Sequence, residues 1–231
     1  MIEIKLEGIN EAIRKLADIE KNQLPFAIVK AMTNTAQEVK KEEIRVMKHI
    51  FDNPTPFVLN ALRVVSAKKT FLQAKVEFRW WGANITPEEY LIPHVHGGER
   101  KRKRSEEYLG SYWVPGKAAP LDKYGNIKPQ EIMRILSAFK RTADPYQGRT
   151  TTSMKRNKKL KQYFAATKAS SLPPGIWEKL PSGKLKPIMI FIRSPRYRKR
   201  FQFYEVAKRV IKQHSRRLFD EAMAYALKTA K

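Results

Sequence analysis

The sequence predicts an α+β domain, with a mostly antiparallel sheet flanked by helices, long amphipathic helices near the N- and C-termini, and long basic loops in the middle. Apolar residues recur at steps of three and four over residues 24–50 and 203–227, which indicates two long helices. Alternating apolar residues at 71–80 and an apolar run at 188–192 indicate strands. There is no internal repeat and no clean linker. Residues 1–231 are therefore predicted to form a single domain, with mobile basic loops near 97–110 and 141–160.

The N-terminal part is predicted to contain a short strand followed by two helices. Residues 2–6 alternate apolar and charged side chains, which is typical of a strand. Asn10 is placed to cap the first helix and Asn22 the second. Pro25 would then lie in the first turn of the second helix, where a missing N–H costs nothing. Asp52-Asn53-Pro54 ends that helix at about residue 49 or 51.

The next stretch is predicted to form a hairpin between two short helices. Thr55-Pro56 begins a helix over residues 57–62, and residues 63–67 and 71–80 form the two strands. In the second strand the residues expected on one face are Leu72, Ala74, Val76 and Phe78. Thr86, with Glu89 three residues later, begins another helix. Residues 94–130 are rich in turn formers and are predicted to be irregular.

The C-terminal part is predicted to form a helix from Pro129, a strand at residues 162–167, and a closing unit over residues 172–231. In that unit Ile176-Trp177 pairs with Ile188–Ile192 across a turn at residues 181–183. Five consecutive apolar residues predict that the second strand is buried on both faces. A basic segment then leads into the last helix, and we expect this unit to organise the core.

The charge of the chain predicts a polyanionic partner. There are 47 lysines and arginines against 22 acids, a net charge of +25. Residues 1–51 are almost neutral, with nine bases and eight acids, whereas residues 141–200 have sixteen bases and two acids. Such a field favours nucleic acid or an acidic protein surface, and the plainer alternative is a solvated face that aids solubility. Spread charge contacts phosphates without reading base sequence.

Three basic runs are the candidate contacts with DNA or another polyanion. The residues are Arg100, Lys101, Arg102, Lys103 and Arg104 in the first run, Lys155, Arg156, Lys158 and Lys159 in the second, and Arg196, Arg198, Lys199 and Arg200 in the third. Tyr163 and Phe164 follow the second run, but their alternation into a strand favours core packing over base stacking. The third run lies before the last helix, and because helix N-termini bind anions it is the best phosphate candidate.

Several function classes are disfavoured by what the sequence lacks. The absence of cysteine removes disulfides, thiolate zinc sites and cysteine nucleophiles. No apolar run approaches the 18 residues of a membrane span, and the N-terminus does not resemble a secretory signal. There is no P-loop, GxSxG, HExxH or dinucleotide fingerprint. We therefore predict no enzymatic activity, no catalytic residues, no cofactor and no membrane contact.

A metal site is also disfavoured. His94 and His96 stand two apart before two glycines, but a third ligand is hard to find, so a structural loop is the favoured interpretation. The acids between residues 108 and 200 are few and widely spaced, whereas a metal nuclease needs two or three together. Asp122 lies in a turn, where hydrogen bonds to the backbone are the simpler role. No metal is predicted.

Three groups of residues carry a resemblance to a known family. The first is Leu6-x-Gly8-Ile9-x-x-Ala12-Ile13-x-x-Leu16 followed by Ala31-Met32-Thr33-Asn34-Thr35-Ala36. The second is Ile92-Pro93-His94-x-His96-Gly97-Gly98-Glu99-Arg100 with Val114-Pro115-Gly116-x-Ala118-Ala119-Pro120-Leu121-Asp122-x-Tyr124-Gly125-Asn126-Ile127. The third runs from Gly175-Ile176-Trp177-Glu178 through Pro187-Ile188-Met189-Ile190-Phe191-Ile192. Together they resemble phage minor tail protein Z and related tail-completion (neck) proteins.

The resemblance implies a small virion protein, present in few copies, at the head-proximal end of the tail or in the neck. Such a protein completes the tail for head joining or DNA passage and is assembled in the host cytoplasm. Its implied partners are other tail, neck or connector proteins and further copies of itself in a ring, with nonspecific contact to genomic DNA. No site residue is carried over. The alternative is a free-standing, sequence-nonspecific nucleic-acid-binding protein, and a nuclease-like enzyme is disfavoured by the scarcity of acids.

Overall fold

The computed structural model describes residues 1–4, 18–79, 86–139 and 162–229, and it confirms the α+β class, with antiparallel sheets and long helices near both ends. The chain divides into two compact units. Unit 1 is Met1–Gly97 with Arg198–Lys231, and unit 2 is Gly98–Tyr197. The single domain predicted for residues 1–231 stays a prediction. None of the described helices is long and apolar enough to cross a membrane.

The described elements follow the predicted order closely. In chain order they are β1 (Ile2–Ile4), α1 (Asp18–Ile50), α2 (Pro56–Leu59), β2 (Leu62–Val65), β3 (Ala74–Phe78), α3 (Pro87–His96), β4 (Gly98–Glu99), α4 (Arg104–Leu109), β5 (Tyr112–Pro115), α5 (Pro129–Ala138), β6 (Gln162–Ala166), β7 (Gly175–Lys179), β8 (Leu185–Ile192), β9 (Arg196–Tyr197) and α6 (Phe203–Lys228).

Unit 1 is built on the antiparallel packing of α1 against α6. Near the start of α6, Arg209 reaches Glu42 near the end of α1 (3.1 Å). At the opposite ends, four buried alanines form one cluster: Ala27, Ala31, Ala222 and Ala226. Each helix contributes two of them at a spacing of four residues, which places both on one face. Side chains this small let the two helices approach closely.

The sheet of unit 1, with strand order β1-β3-β2, packs against the same helices. Ala74 and Val76 of β3 are fully buried, as their predicted alternation requires, and Leu72 and Phe78 are partly buried on the same core. The predicted hairpin is therefore confirmed. The remaining apolar core includes Leu24, Ile28, Met32, Val39, Met47, Leu62, Leu91, Val95, Phe201, Phe203, Val206 and Val210.

Unit 2 has its own core around a four-stranded antiparallel sheet of order β5-β8-β7-β6. The predicted hairpin of β7 and β8 is confirmed, as are the strand at residues 162–166 and the helix from Pro129. The buried apolar cluster consists of Trp113, Ile127, Ile135, Ile176, Ile188 and Met189. In β8 only Ile188 and Met189 are buried, whereas the next three residues are half-buried. The prediction that this strand is buried on both faces was therefore wrong for its C-terminal half.

Two glycines of unit 2 allow backbone segments to approach closely. A Cβ at Gly116 would collide with the carbonyl of Pro187, and a Cβ at Gly175 would collide with the carbonyl of Met189. Both collisions are with backbone atoms of β8, which cannot move without breaking the strand pairing. Any larger residue would force the sheet apart at these positions.

The start of α1 was predicted incorrectly. The helix begins at Asp18 and continues through Asn22, so Pro25 is internal and not in the first turn. A proline removes one hydrogen bond and crowds one preceding carbonyl, and a helix that is well packed further along can continue through it at a cost of about 3 kcal/mol. The earlier helix predicted from Asn10 falls largely on residues 10–17, outside the described part of the chain. The end of α1 at Ile50 is as predicted.

The prediction of irregular structure over residues 94–130 was wrong in four places. His94 and His96 belong to the last turn of α3, residues 98–99 form β4, residues 104–109 form α4, and residues 112–115 form β5. The loop predicted near 97–110 is thus mostly regular structure, while the loop predicted at 141–160 lies outside the described residues. A short helix forms here because Gly110 adopts a left-handed conformation (φ 73°) that closes its C-terminus.

The segment predicted to form one closing unit, residues 172–231, is divided between unit 2 and unit 1. The β7–β8 hairpin packs with Trp113 and Ile135 in unit 2, whereas α6 packs along α1 in unit 1. The separation could not be seen in the sequence, because apolar periodicity shows that a face is buried but not against which partner.

We expect Gly175→Ala to destabilise the protein by roughly 3 kcal/mol, because its Cβ would overlap the carbonyl of Met189. Gly183→Ala is the control, since φ is +78° there but no atom lies within 4 Å of the added Cβ, and we expect a loss of only about 1 kcal/mol. Urea unfolding of both variants measures the difference. Equal losses would contradict the close approach at Gly175.

Candidate polyanion-binding surface

The first basic run begins with an arginine that is structural. The Arg100 side chain is 9% exposed, and its two terminal nitrogens donate to the two oxygens of Glu106, both at 2.6 Å. Its Nε donates to the hydroxyl of Tyr197 (3.2 Å). All three guanidinium nitrogens thus have partners inside unit 2. Arg100 is therefore removed from the residues predicted to face a polyanion.

Glu106 was missed by the sequence analysis and is the centre of this arrangement. It is fully buried, and its carboxylate also accepts the backbone N–H of Lys103 (2.7 Å). Burial alone would raise the pKa of Glu106, but the hydrogen bonds from Arg100 and from the Lys103 backbone hold that pKa below its usual value. The carboxylate is thus ionised at neutral pH and fixes the start of α4 to Arg100.

The other cations of this run are exposed and rest on aromatic rings. The Arg102 guanidinium lies 5.2 Å from the ring centre of Tyr112, and the Lys103 ammonium 5.6 Å from that of Trp113. Arg104 lies 5.7 Å from the ring of Tyr108 and donates to its hydroxyl (3.0 Å). These contacts orient the charges without neutralising them. Lys101 is exposed as well. Burial, and then the Arg100 charge, lower the pKa of Lys103, so Arg102 and Arg104 are the cations of this run best placed to meet an anion.

The third run is more strongly paired than its sequence indicates. Arg196 lies on β9 in unit 2 and contacts Glu99 (3.1 Å). In unit 1, Lys199 is 3.7 Å from Glu205 in the first turn of α6, and Arg198 has no ion pair among the described residues. Since α6 begins only at Phe203, these cations precede the helix instead of lying in its first turn. Phosphate binding by this run stays a prediction.

Arg200 is held by His94. Its Nε donates to Nδ1 of His94 (3.1 Å), its guanidinium lies 5.0 Å from the ring centre of Phe51, and the N–H groups of Arg200 and Phe201 both donate to the carbonyl of His94 (2.9 Å each). Burial, and then the Arg200 charge, lower the pKa of His94 to about 4. A neutral His94 thus anchors the segment before α6. Its helical position corrects the structural-loop prediction.

The remaining predictions divide between confirmed and untested ones. Lys155, Arg156, Lys158 and Lys159 lie outside the described residues, so their role stays a prediction. Asp122 accepts hydrogen bonds from the backbone N–H groups of Tyr124 and Asn126 (2.8 and 2.9 Å), which confirms its turn role. Within the described ranges no three histidine, aspartate or glutamate side chains are grouped to hold a metal ion.

A row of cations on α6 was missed. Lys208, Lys212 and Arg216 are exposed, and none of them forms an ion pair with any described residue. By contrast, the neighbouring Arg209 and Arg217 contact Glu42 and Glu221. The signal was visible in the sequence, because bases at a spacing of four on the polar side of an amphipathic helix share one face.

Glu43, on α1, is the most unusual ionisable group that the structure describes. It is fully buried, and neither carboxylate oxygen has a hydrogen-bond partner. Burial, and then the nearby Glu42 charge, raise the pKa of Glu43 to about 9, so it is protonated at neutral pH. The sequence contained a signal for it, since Glu43 lies four residues after Val39 and four before Met47, on the apolar face of α1.

An open groove of about 620 Å³ lies between α1 and α6, and its lining includes the sequence neighbours Glu42 and Ile44 but not Glu43 itself. Its lining is largely charged, and part of that charge is neutralised locally, because Arg45 contacts Glu42 (2.7 Å) and Lys41 contacts Glu38 (3.7 Å). Lys40 and Lys48 have no ion pair within the described part of the chain and add to the basic character of unit 1.

We expect Arg100→Ala to destabilise the protein by about 3–5 kcal/mol, because it leaves the buried Glu106 carboxylate without its cation. Arg102→Ala, two residues away and exposed, is the control and should leave stability nearly unchanged. Denaturant unfolding of the two variants distinguishes these outcomes. Equal stabilities would show that Arg100 is an ordinary surface cation.

Glu43 and His94 predict opposite pH dependences of stability. The folded-state pKa of Glu43, about 9, exceeds its ordinary value of 4.5, so the folded state binds the extra proton and the free energy of unfolding falls as pH rises between these values. The pKa of His94, about 4, is below its ordinary 6.5, so stability rises with pH over that window. The two effects oppose each other from about pH 4.5 to 6.5, and the fall is expected above pH 6.5.

We therefore expect Glu43→Gln to flatten the fall in stability between pH 6.5 and 9, relieving a cost on the order of 3 kcal/mol at pH 7. Urea unfolding followed by far-UV circular dichroism across this range measures it. Glu38→Gln, on the same helix but solvent-accessible, is the control and should retain the fall. A Glu43→Gln variant with the wild-type pH profile would refute the assignment.

Comparison of the chain with protein-family models, with curated proteins and with solved structures found no match.

Proposed function

We propose that the chain is a structural protein of a tailed phage or prophage virion. It acts in tail completion at the head-proximal end of the tail or in the neck, where it connects tail to head close to the DNA channel. The resemblance to tail-completion proteins supports the location. The distribution of charge supports the closeness to DNA and is the observation that carries the proposal: unit 2 alone has 23 bases against seven acids.

Several of the residues behind the resemblance have packing roles in unit 2. Ile127, Ile176, Ile188 and Met189 come from three separate segments and lie in one buried cluster. Gly116, from the same segments, is required by the close approach of its backbone to β8. A pattern made of buried core residues and closely packed glycines maintains the fold of unit 2. That is compatible with the structural role that we propose.

The exposed cations support a polyanionic neighbour. Arg102 and Arg104 in unit 2, like the α6 row in unit 1, are exposed and form no ion pair with a described carboxylate. Unit 1 is less basic, with 24 bases against 15 acids. A protein at the entrance of a DNA-filled channel would gain from such a field, since DNA releases counterions when cations contact its phosphates.

Contacts with other tail, neck or connector proteins, and with further copies in a homo-oligomeric ring, complete the proposal. Among the described strands, β5 and β6 lie at the edges of the four-stranded sheet. Val114 on β5 is 40% exposed, and Met133 on α5 is 49% exposed. Sheet edges and exposed apolar side chains are features that subunit contacts use.

A second candidate is a free-standing, sequence-nonspecific nucleic-acid-binding protein. The unpaired row on α6 favours it, because regularly spaced cations bind phosphates of any sequence. The two candidates differ in where the protein is found. The tail-completion protein stays in the particle, whereas a free-standing binder follows nucleic acid in the cell.

Inactivation of the gene in the phage or prophage that encodes this chain tests the proposal. We expect DNA-filled heads and separate tails to accumulate, with joining restored by the wild-type gene supplied in trans. Electron microscopy of the lysates measures joining, and peptide mass spectrometry of purified virions measures whether the protein is present. Infectious particles of normal appearance that lack the protein would overturn the proposal and favour the second candidate.

A further inference from the structure

The exposed side of α6 has a row of cations whose regular spacing suits binding to a uniform rod of negative charge. Lys208, Lys212 and Arg216 are four residues apart, and an α-helix rises about 1.5 Å per residue, so their positions are spaced by roughly 6 Å along about 12 Å of helix. A DNA duplex has one phosphate per strand for roughly each 3.4 Å of its axis. Cations spaced along a helix on this scale can each reach a different phosphate of one strand.

The cations in this row form no ion pair with the described carboxylates, and the acids next to Lys208 and Lys212 are engaged elsewhere, although the exposed Asp220, four residues after Arg216, is not paired with any described residue. Glu205 contacts Lys199 at the start of the helix, and Glu42 contacts Arg209 and Arg45. No described carboxylate is left within ion-pair distance of Lys208, Lys212 or Arg216. The free cations are thus separated from the paired ones on the same helix, and the row presents net positive charge to solvent.

The row does not have the composition of a protein-docking surface. From Glu205 to Arg217 every exposed residue of α6 is polar. Of the exposed aromatic and apolar residues of α6, Tyr204 (38% exposed) precedes the row by one turn, and Tyr225 and Leu227 lie further along the helix. Protein interfaces usually have an apolar or aromatic centre from which charged residues are depleted. Phosphate backbones need no such centre, because counterion release supplies the favourable free energy.

We infer that the face of α6 formed by Lys208, Lys212 and Arg216 binds the phosphate backbone of duplex DNA without regard to base sequence. The inference rests on the proposed function only in naming genomic DNA as the natural partner. It also moves the principal contact of unit 1 away from Arg200, which His94 and Phe51 hold, to a helix face that the basic runs did not indicate.

The test measures binding of the purified full-length chain to a fluorescent 20-base-pair duplex of arbitrary sequence, over a series of salt concentrations. The variant is Lys208→Gln with Lys212→Gln and Arg216→Gln. The matched control is Arg45→Gln with Arg63→Gln and Arg217→Gln, three cations of unit 1 that already contact Glu42, Glu77 and Glu221. Both triple variants lower the net charge by the same amount. Circular dichroism and thermal unfolding check that each is folded.

We expect the row variant to lower the slope of log K against log salt by about 2.7, and to weaken binding on the order of 100-fold at 0.1 M salt. The control variant should change both much less. Equal effects of the two variants would overturn the inference, since the general field of the protein would then be responsible. Wild-type protein that does not bind the duplex would also overturn it.

A third arm distinguishes DNA from an acidic protein. Polyglutamate of similar charge should compete poorly with the duplex, and competition at equal charge concentration would overturn the choice of DNA. The DNA-binding measurement does not depend on whether the protein acts in tail completion. Normal virion joining by the row variant, with DNA binding lost, would support the inference and show that joining does not need this contact. Loss of joining with DNA binding intact would overturn the inference, because the row would then serve joining and not DNA binding.

Discussion

The antiparallel packing of α1 along α6 is the constraint on which unit 1 depends. Four alanines allow the close approach at one end, and the contact between Arg209 and Glu42 lies at the other. The strands β2 and β3 and the segment before α6 complete the same core. The packing also explains why Glu43 is protonated, because a carboxyl closed off from water, without a hydrogen-bond donor, is less costly in its neutral form.

Sequence periodicity was enough to predict the elements but not their grouping. The long helices and both hairpins follow from steps of three and four or of two, and these patterns depend only on local geometry. The assignment of β7–β8 and α6 to different units depends on partners distant in the chain. The start of α1 was missed for a related reason: a proline signal is local, and packing over the rest of the helix outweighed it.

For the candidate site, too, local features could be predicted from the sequence and tertiary ones could not. The charge count predicted a basic surface, but not which cations are neutralised, because the pairing is tertiary. Arg196 meets Glu99 and Arg200 meets His94 across about a hundred residues of sequence. Arg100 meets Glu106 within six residues, yet five consecutive cations are typical of a solvated loop, and the sequence does not show that this pair is buried beside Tyr112. The row on α6 was readable from spacing alone, since helix geometry determines its exposure.

The cations stacked on aromatic rings in unit 2 have a consequence for the entropy of binding. A free lysine or arginine side chain loses about 0.5–1.5 kcal/mol of rotamer freedom when a partner immobilises it. Arg102 and Lys103 already rest on Tyr112 and Trp113, so part of that ordering occurs when the protein folds. The charges of this surface are therefore already largely oriented when an anion binds. Binding here should cost less conformational entropy than binding to the same residues on an open loop.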